Sequence, residues 1–123
     1  MAASWQVLLV EQHGDLRDTL GEMLRVHGYV VHATAGPEEA HDVADDVFPD
    51  VVLFDMNALA GDPLQRWVHQ LRARCGDTPI VIGMASDAVH DLSEHVFDRV
   101  VTKPFTSDEI DGCIRDWLAR RAA

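Results

Sequence analysis

Four things are scarce in this sequence, and each shortage narrows what the chain can be. Cysteine occurs twice, at Cys75 and Cys113. Neither has a second Cys at metal-site spacing, and both lie in helix-like contexts, so they read as reduced thiols in or near the core of a cytoplasmic protein. Long apolar runs are missing: the longest near the start, Val7 to Val10, is far too short for a membrane span or a signal-peptide core. Basic residues are few, 10 Lys and Arg against 21 Asp and Glu, a formal net charge of -11. A basic face is hard to build from so few, which argues against direct nucleic-acid binding and mildly favours divalent cations. A glycine-rich phosphate loop is also missing. Glu11 to Leu16 lacks one, and no GxxxxGK motif followed by Ser or Thr occurs, so a nucleotide-binding or hydrolytic enzyme is poorly supported.

What is present fits one domain over residues 1–123, with one core and no room for a second. Short apolar runs alternate with helical patterns. Gln6 to Val10, Tyr29 to Ala33, Val51 to Phe54, Pro79 to Met84 and Asp98 to Thr102 read as strands. Their β-branched, near-continuous apolarity suits a parallel sheet covered on both faces. The first helical pattern stacks Leu16, Leu20, Met23, Leu24 and His27 on one stripe, with Asp15 as N-cap and Gly28 as the stop. The second runs from Pro37 to near Val47. The third takes Asp62 as N-cap and buries Leu64, Trp67, Val68 and Leu71 up to Gly76. The fourth, Asp87 to about His95, is short and thinly apolar, about two turns or fewer. The fifth opens with a Thr106-x-x-Glu109 capping box and buries Ile110, Cys113, Ile114, Trp117 and Leu118. The remaining aromatics read as packing or rim residues, and Glu38-x-x-His41 reads as a solvated helix face.

Five strand–helix units imply parallel pairing with right-handed crossovers. The doubly wound order 2-1-3-4-5, helices on both faces, is the natural solution, with its ligand crevice at the carboxyl ends of strands 1 and 3. Glu11 and Gln12 end the first strand, Asp55 ends the third with Asn57 two residues on, Met84 ends the fourth, and Lys103 follows the fifth. Acids from two strands and one lysine therefore converge. Two neighbouring acids repel unless a cation neutralises them, which suits a magnesium ion held by oxygens. Taken alone, Asp55 could be a strand terminator and Lys103 a surface lysine. Their placement together with Glu11 favours chemistry.

These motifs, in this order, with Asp62 opening the third helix and the Thr102–Phe105 stretch TKPF, resemble a response-regulator receiver domain over roughly Gln6 to Leu118. The resemblance implies a flavodoxin-like fold and a place in two-component phosphorelay signalling, with no enzyme activity of its own. It implies Asp55 as phosphoacceptor from a histidine kinase or phosphotransfer protein, and Lys103 as the cation facing the phosphoryl oxygens. Mg²⁺ would be held by Glu11, Gln12, Asp55 and the Asn57 carbonyl, beside a cis Lys103–Pro104 peptide. It also implies a downstream partner or a homodimer through the surface of the fourth helix, fifth strand and fifth helix, with no direct nucleic-acid or membrane contact.

Three departures qualify that pattern. Gln12 replaces the second acid of the metal site, and a charge about 4 Å from another is worth roughly 4 kcal/mol before desolvation, so a dissociation constant in the millimolar range or above is expected. Met84 stands where a hydroxyl usually bonds the phosphoryl group, and a thioether donates no hydrogen bond; core packing is the reading it favours. Val100 stands where an aromatic ring usually moves with that hydroxyl. Ser86 offers a hydroxyl but lies two residues late and reads rather as the cap of the fourth helix, and His13 flanks the site within reach of a ligand but reads rather as a solvated loop residue. These departures support a second reading, a pseudo-receiver that binds protein partners without phosphorylation.

Overall fold

The computed structural model describes residues 5–59, 61–86 and 96–122. Its strands are β1 (Gln6–Val10), β2 (Val30–Thr34), β3 (Val51–Asp55), β4 (Ile80–Ala85) and β5 (Arg99–Thr102). All pair in parallel, in the order β2-β1-β3-β4-β5. The helices are α1 (Gly14–Val26), α2 (Pro37–Val47), α3 (Gly61–Cys75) and α4 (Ser107–Ala122). The expected flavodoxin-like doubly wound sheet is thus the fold observed.

Strand periodicity divides the core in two. Successive side chains point to opposite faces, so Val7, Leu9, Val51, Leu53, Ile80, Ile82 and Met84 pack with Leu20 and Leu24 of α1 and Ile110 and Ile114 of α4. The alternate residues Leu8, Val10, Val52, Phe54 and Val81 pack with Ala40 and Ala44 of α2 and Leu64, Trp67, Val68 and Leu71 of α3. Burial on both faces explains why these strands read as continuous apolar runs.

Several helix ends follow the sequence cues. Pro37 opens α2. The capping box of α4 is formed, with Glu109 N donating to Thr106 Oγ1 at 3.1 Å and Thr106 N to Glu109 Oε1 at 3.4 Å. Gly28 follows α1 with φ +96, a conformation that costs a side-chain-bearing residue dearly. Other details differ. His13, not Asp15, caps α1, its Nδ1 accepting the Leu16 N–H at 3.4 Å. Met23 leaves the buried stripe and is exposed, because Gly21 takes the inward position beside Leu20 and Leu24. Asp62 sits inside the first turn of α3, which already includes Gly61. His41 is not solvated but stacks on Trp67, ring centroids 4.9 Å apart, while Trp67 Nε1 donates to the Pro37 carbonyl at 2.8 Å. The fourth helical pattern, Asp87 to His95, lies outside the described residues.

Candidate functional site

The alternation that builds the core also builds the site. In β1, Val7 and Leu9 face α1 and α4, and Glu11 is the next residue of that parity; in β3 the series is Val51, Leu53, Asp55; after β5, Val101 is followed by Lys103. The three functional side chains therefore continue one sheet face past its carboxyl edge. Register sets Glu11 level with Asp55, as the next step after the Leu9–Leu53 pair, while Lys103 lies two residues beyond Val101, which pairs with the Met84 opposite Asp55.

There Lys103 Nζ donates to Glu11 Oε1 at 3.0 Å and to Asp55 Oδ1 at 3.5 Å. Glu11 and Asp55 are each only 1% exposed, so this ammonium is shared between two buried carboxylates. Further donors hold each group. Asn57 N reaches Asp55 Oδ1 at 3.0 Å, His13 N reaches Glu11 Oε2 at 3.1 Å, and Lys103 N is fixed to the Ala85 carbonyl at 2.7 Å. The Lys103–Pro104 peptide is cis. Two carboxylates against the one ammonium bonded to them leave one negative charge uncompensated by direct pairing.

These groups line an open cleft of about 630 Å³ together with Gln12, His13, Leu16, Asn57 and Ser86. All the predicted ligand residues are thus brought together. Among the described residues, no three His, Cys, Asp or Glu side chains cluster closely enough to hold a metal ion. Next to Glu11 stands an amide, Gln12, rather than a third carboxylate. What remains is an all-oxygen donor set of two carboxylates, an amide and a main-chain carbonyl, which fits a hard cation with few charged ligands.

The two switch positions do not meet the cleft. Met84 is 0% exposed and belongs to the core, level with Asp55 on the neighbouring strand. Val100 is 36% exposed and pairs with Gly83 on β4. Three residues not expected at the site are there. His13 caps α1 at its rim. Arg17 donates to the Glu11 carbonyl at 3.0 Å. Ser86 Oγ accepts the Asn57 side-chain amide. The signal for Ser86 was its spacing: two residues beyond Met84, it shares that residue's strand parity.

A parallel doubly wound sheet whose carboxyl edge joins a buried aspartate, a second acid and a lysine defines a class of phosphoryl-signalling domains. The chain belongs to the response regulator receiver domain family, whose model matches residues 7–115. It is 30% identical to the transcriptional regulatory protein PrrA of Mycobacterium leprae, over 98% of this chain and 53% of that protein. It is 29% identical to the response regulator Rre1 of Synechocystis, over 100% and 55%. The chain spans between 20% and 55% of the length of such curated relatives. In fold it resembles the chemotaxis protein CheY4 of Vibrio cholerae, with 21% identity, a TM-score of 0.80, and 93% and 98% of the two chains covered. It also resembles the receiver domain of the sensor histidine kinase PA1611 of Pseudomonas aeruginosa, solved with a magnesium ion coordinated in the active site cleft. There the identity is 24%, the TM-score 0.80, and the coverage 95% and 99%. The function of the family is that of a receiver in two-component signalling.

Proposed function

We propose that this chain acts as one receiver unit in which Asp55 accepts a phosphoryl group from a histidine kinase or phosphotransfer protein. The observation that carries the reading is the Lys103 ammonium bonded to both buried carboxylates, Glu11 at 3.0 Å and Asp55 at 3.5 Å. Among the described residues, Asp55 accepts its hydrogen bonds through Oδ1, so Oδ2 is the oxygen left to attack. The new bond joins Oδ2 to phosphorus as the bond from phosphorus to the donor imidazole nitrogen breaks, and the imidazole leaves. Lys103 then pairs with a phosphoryl oxygen, and Asn57 N keeps the carboxylate oriented.

Glu11, Asp55, the Asn57 carbonyl and Gln12 would hold Mg²⁺, which when bound neutralises charge on the acids and on the transferring group. With one acid replaced, binding is weak. The module sits in the cytoplasm, where its phosphodonors are, and signals to a protein partner or a second copy through the surface that includes β5 and α4.

The burial of Met84 favours a second reading. With no donor there and an aliphatic Val100, the chain would act as a pseudo-receiver, engaging partners irrespective of phosphorylation. Incubation with acetyl phosphate and Mg²⁺, followed by intact mass, separates the two. One added phosphoryl group, lost in Asp55→Asn, supports the first reading. An unmodified chain at high phosphodonor overturns it.

A further inference from the structure

A phosphoryl group on Asp55 has three terminal oxygens, and the side chains assigned so far leave one without a partner. Lys103 takes one, and the oxygen side of the cleft around Glu11 and Gln12, with a cation, faces another. At the end of β4, Met84 gives the third no side-chain donor, being a fully buried thioether. One hydroxyl is nevertheless in the cleft lining: Ser86, exposed, shares it with Asp55, Asn57 and Lys103. Its oxygen accepts the Asn57 side-chain amide, which fixes that oxygen in place and leaves the hydroxyl proton as its donor.

Resting on the reading of Asp55 as acceptor, we propose that Ser86 Oγ–H binds the third phosphoryl oxygen and that Asn57 is the positioning residue that holds it there. Ser86 lies on the strand face Met84 occupies, two residues nearer the solvent, where side chains of one parity recur. It can therefore bind an anion without moving the core that contains Met84, Val101 and Ile110. Binding of the group and rearrangement of the core are thereby separated. A cleft that grips a phosphoryl group need not transmit its arrival through β4.

The test is a fluorine NMR titration of the full chain with beryllofluoride, a phosphoryl mimic, at high Mg²⁺. Hydrogen bonds to charged groups predict that Ser86→Ala weakens mimic binding about tenfold to a hundredfold. Ser86→Thr, which keeps the hydroxyl, should bind within about threefold of wild type by the same measure. Asn57→Ala should weaken binding in the wild-type background but add little to Ser86→Ala, as coupled partners do. Melting curves should show all three variants folded, since both positions are exposed. If wild type binds and Ser86→Ala binds equally well, the assignment to Ser86 fails while Asp55 stands. If wild type gives no bound signal and Asp55→Asn behaves identically, the acceptor reading fails and takes this one with it.

Discussion

Two buried carboxylates sharing one ammonium are held together under tension, and that charge balance governs what single substitutions do. Replacing Asp55 by Asn removes a like charge that burial makes costly, so the cation-free protein should gain about 1 kcal/mol, read as a melting temperature a few degrees higher. Lys103→Met does the reverse. It strands Glu11 and Asp55, each 1% exposed, without a cation, and removing one partner of a buried pair costs about 3 kcal/mol or more. A melting temperature equal to wild type at neutral pH would contradict the pairing. The same charge count bears on Mg²⁺. With a dissociation constant of about 5 mM, 10 mM Mg²⁺ stabilises by only about 0.6 kcal/mol. Gln12→Asp restores a charged ligand and should tighten binding at least about tenfold by calorimetry. Micromolar binding by the wild type would refute the weak site.

The elements are tied together by polar contacts that the sequence only half announced. Tyr29, just before β2, donates to Asp111 of α4 at 2.5 Å, and Arg115 donates to the other carboxylate oxygen at 2.8 Å. Burial, then the Asp111 bond, push the Tyr29 hydroxyl well above its usual range. Burial pushes the Asp111 carboxyl up, but hydrogen bonds from Tyr29 and Arg115 outweigh it and hold the group below the usual carboxylate range. A depressed carboxyl contributes stability above its unfolded pKa of about 4 and loses it as pH falls through the lower folded value. Asp111→Asn should therefore cost about 1 kcal/mol near neutral pH and little in strong acid. Tyr29→Phe should cost a similar amount up to about pH 10 and less above it, where the unfolded wild type ionises first. Denaturant melts across pH check both signs. Elsewhere Gly83 has no room for a side chain: a Cβ would lie 2.8 Å from the Phe97 ring and 3.0 Å from Met56 Sδ. Gly83→Ala should cost about 1–3 kcal/mol, partly relieved by Phe97→Leu.

Near-continuous β-branched runs alternating with helical stripes made the sheet and most core residues legible in the sequence, and the strand ends of a doubly wound order made the grouping of Glu11, Asp55 and Lys103 legible. The cap of α1 was not. Asp15 is the better N-cap by residue preference, yet the chain leaves β1 so that His13 reaches the Leu16 amide first, a geometry set by the Glu11 main chain bonded to Thr34. The bond between Ser86 and Asn57 was not legible either, since the two residues follow different strands.

At the scale of the whole molecule, Met84 is a buried thioether and Val100 an aliphatic residue, so on the pseudo-receiver reading neither gives a phosphoryl group a contact that differs between two states. Beryllofluoride should therefore leave amide exchange around Val100 and along α4 almost unchanged, and large saturable changes there would show another transmission route. The bond from Lys103 to Glu11 has one more consequence. It joins residues 92 apart in sequence, and the bond from the same ammonium to Asp55 spans 48, so β5 must be in place before either acid acquires its cation. Long-range closures of this kind are entropically late. During synthesis the nascent chain carries Asp55 long before Lys103 exists, and the aspartate meets phosphodonors without its lysine. On the proposed reading of Asp55 as acceptor, competence then waits for β5 and Lys103 to dock, which makes donor labelling a reporter of that closure.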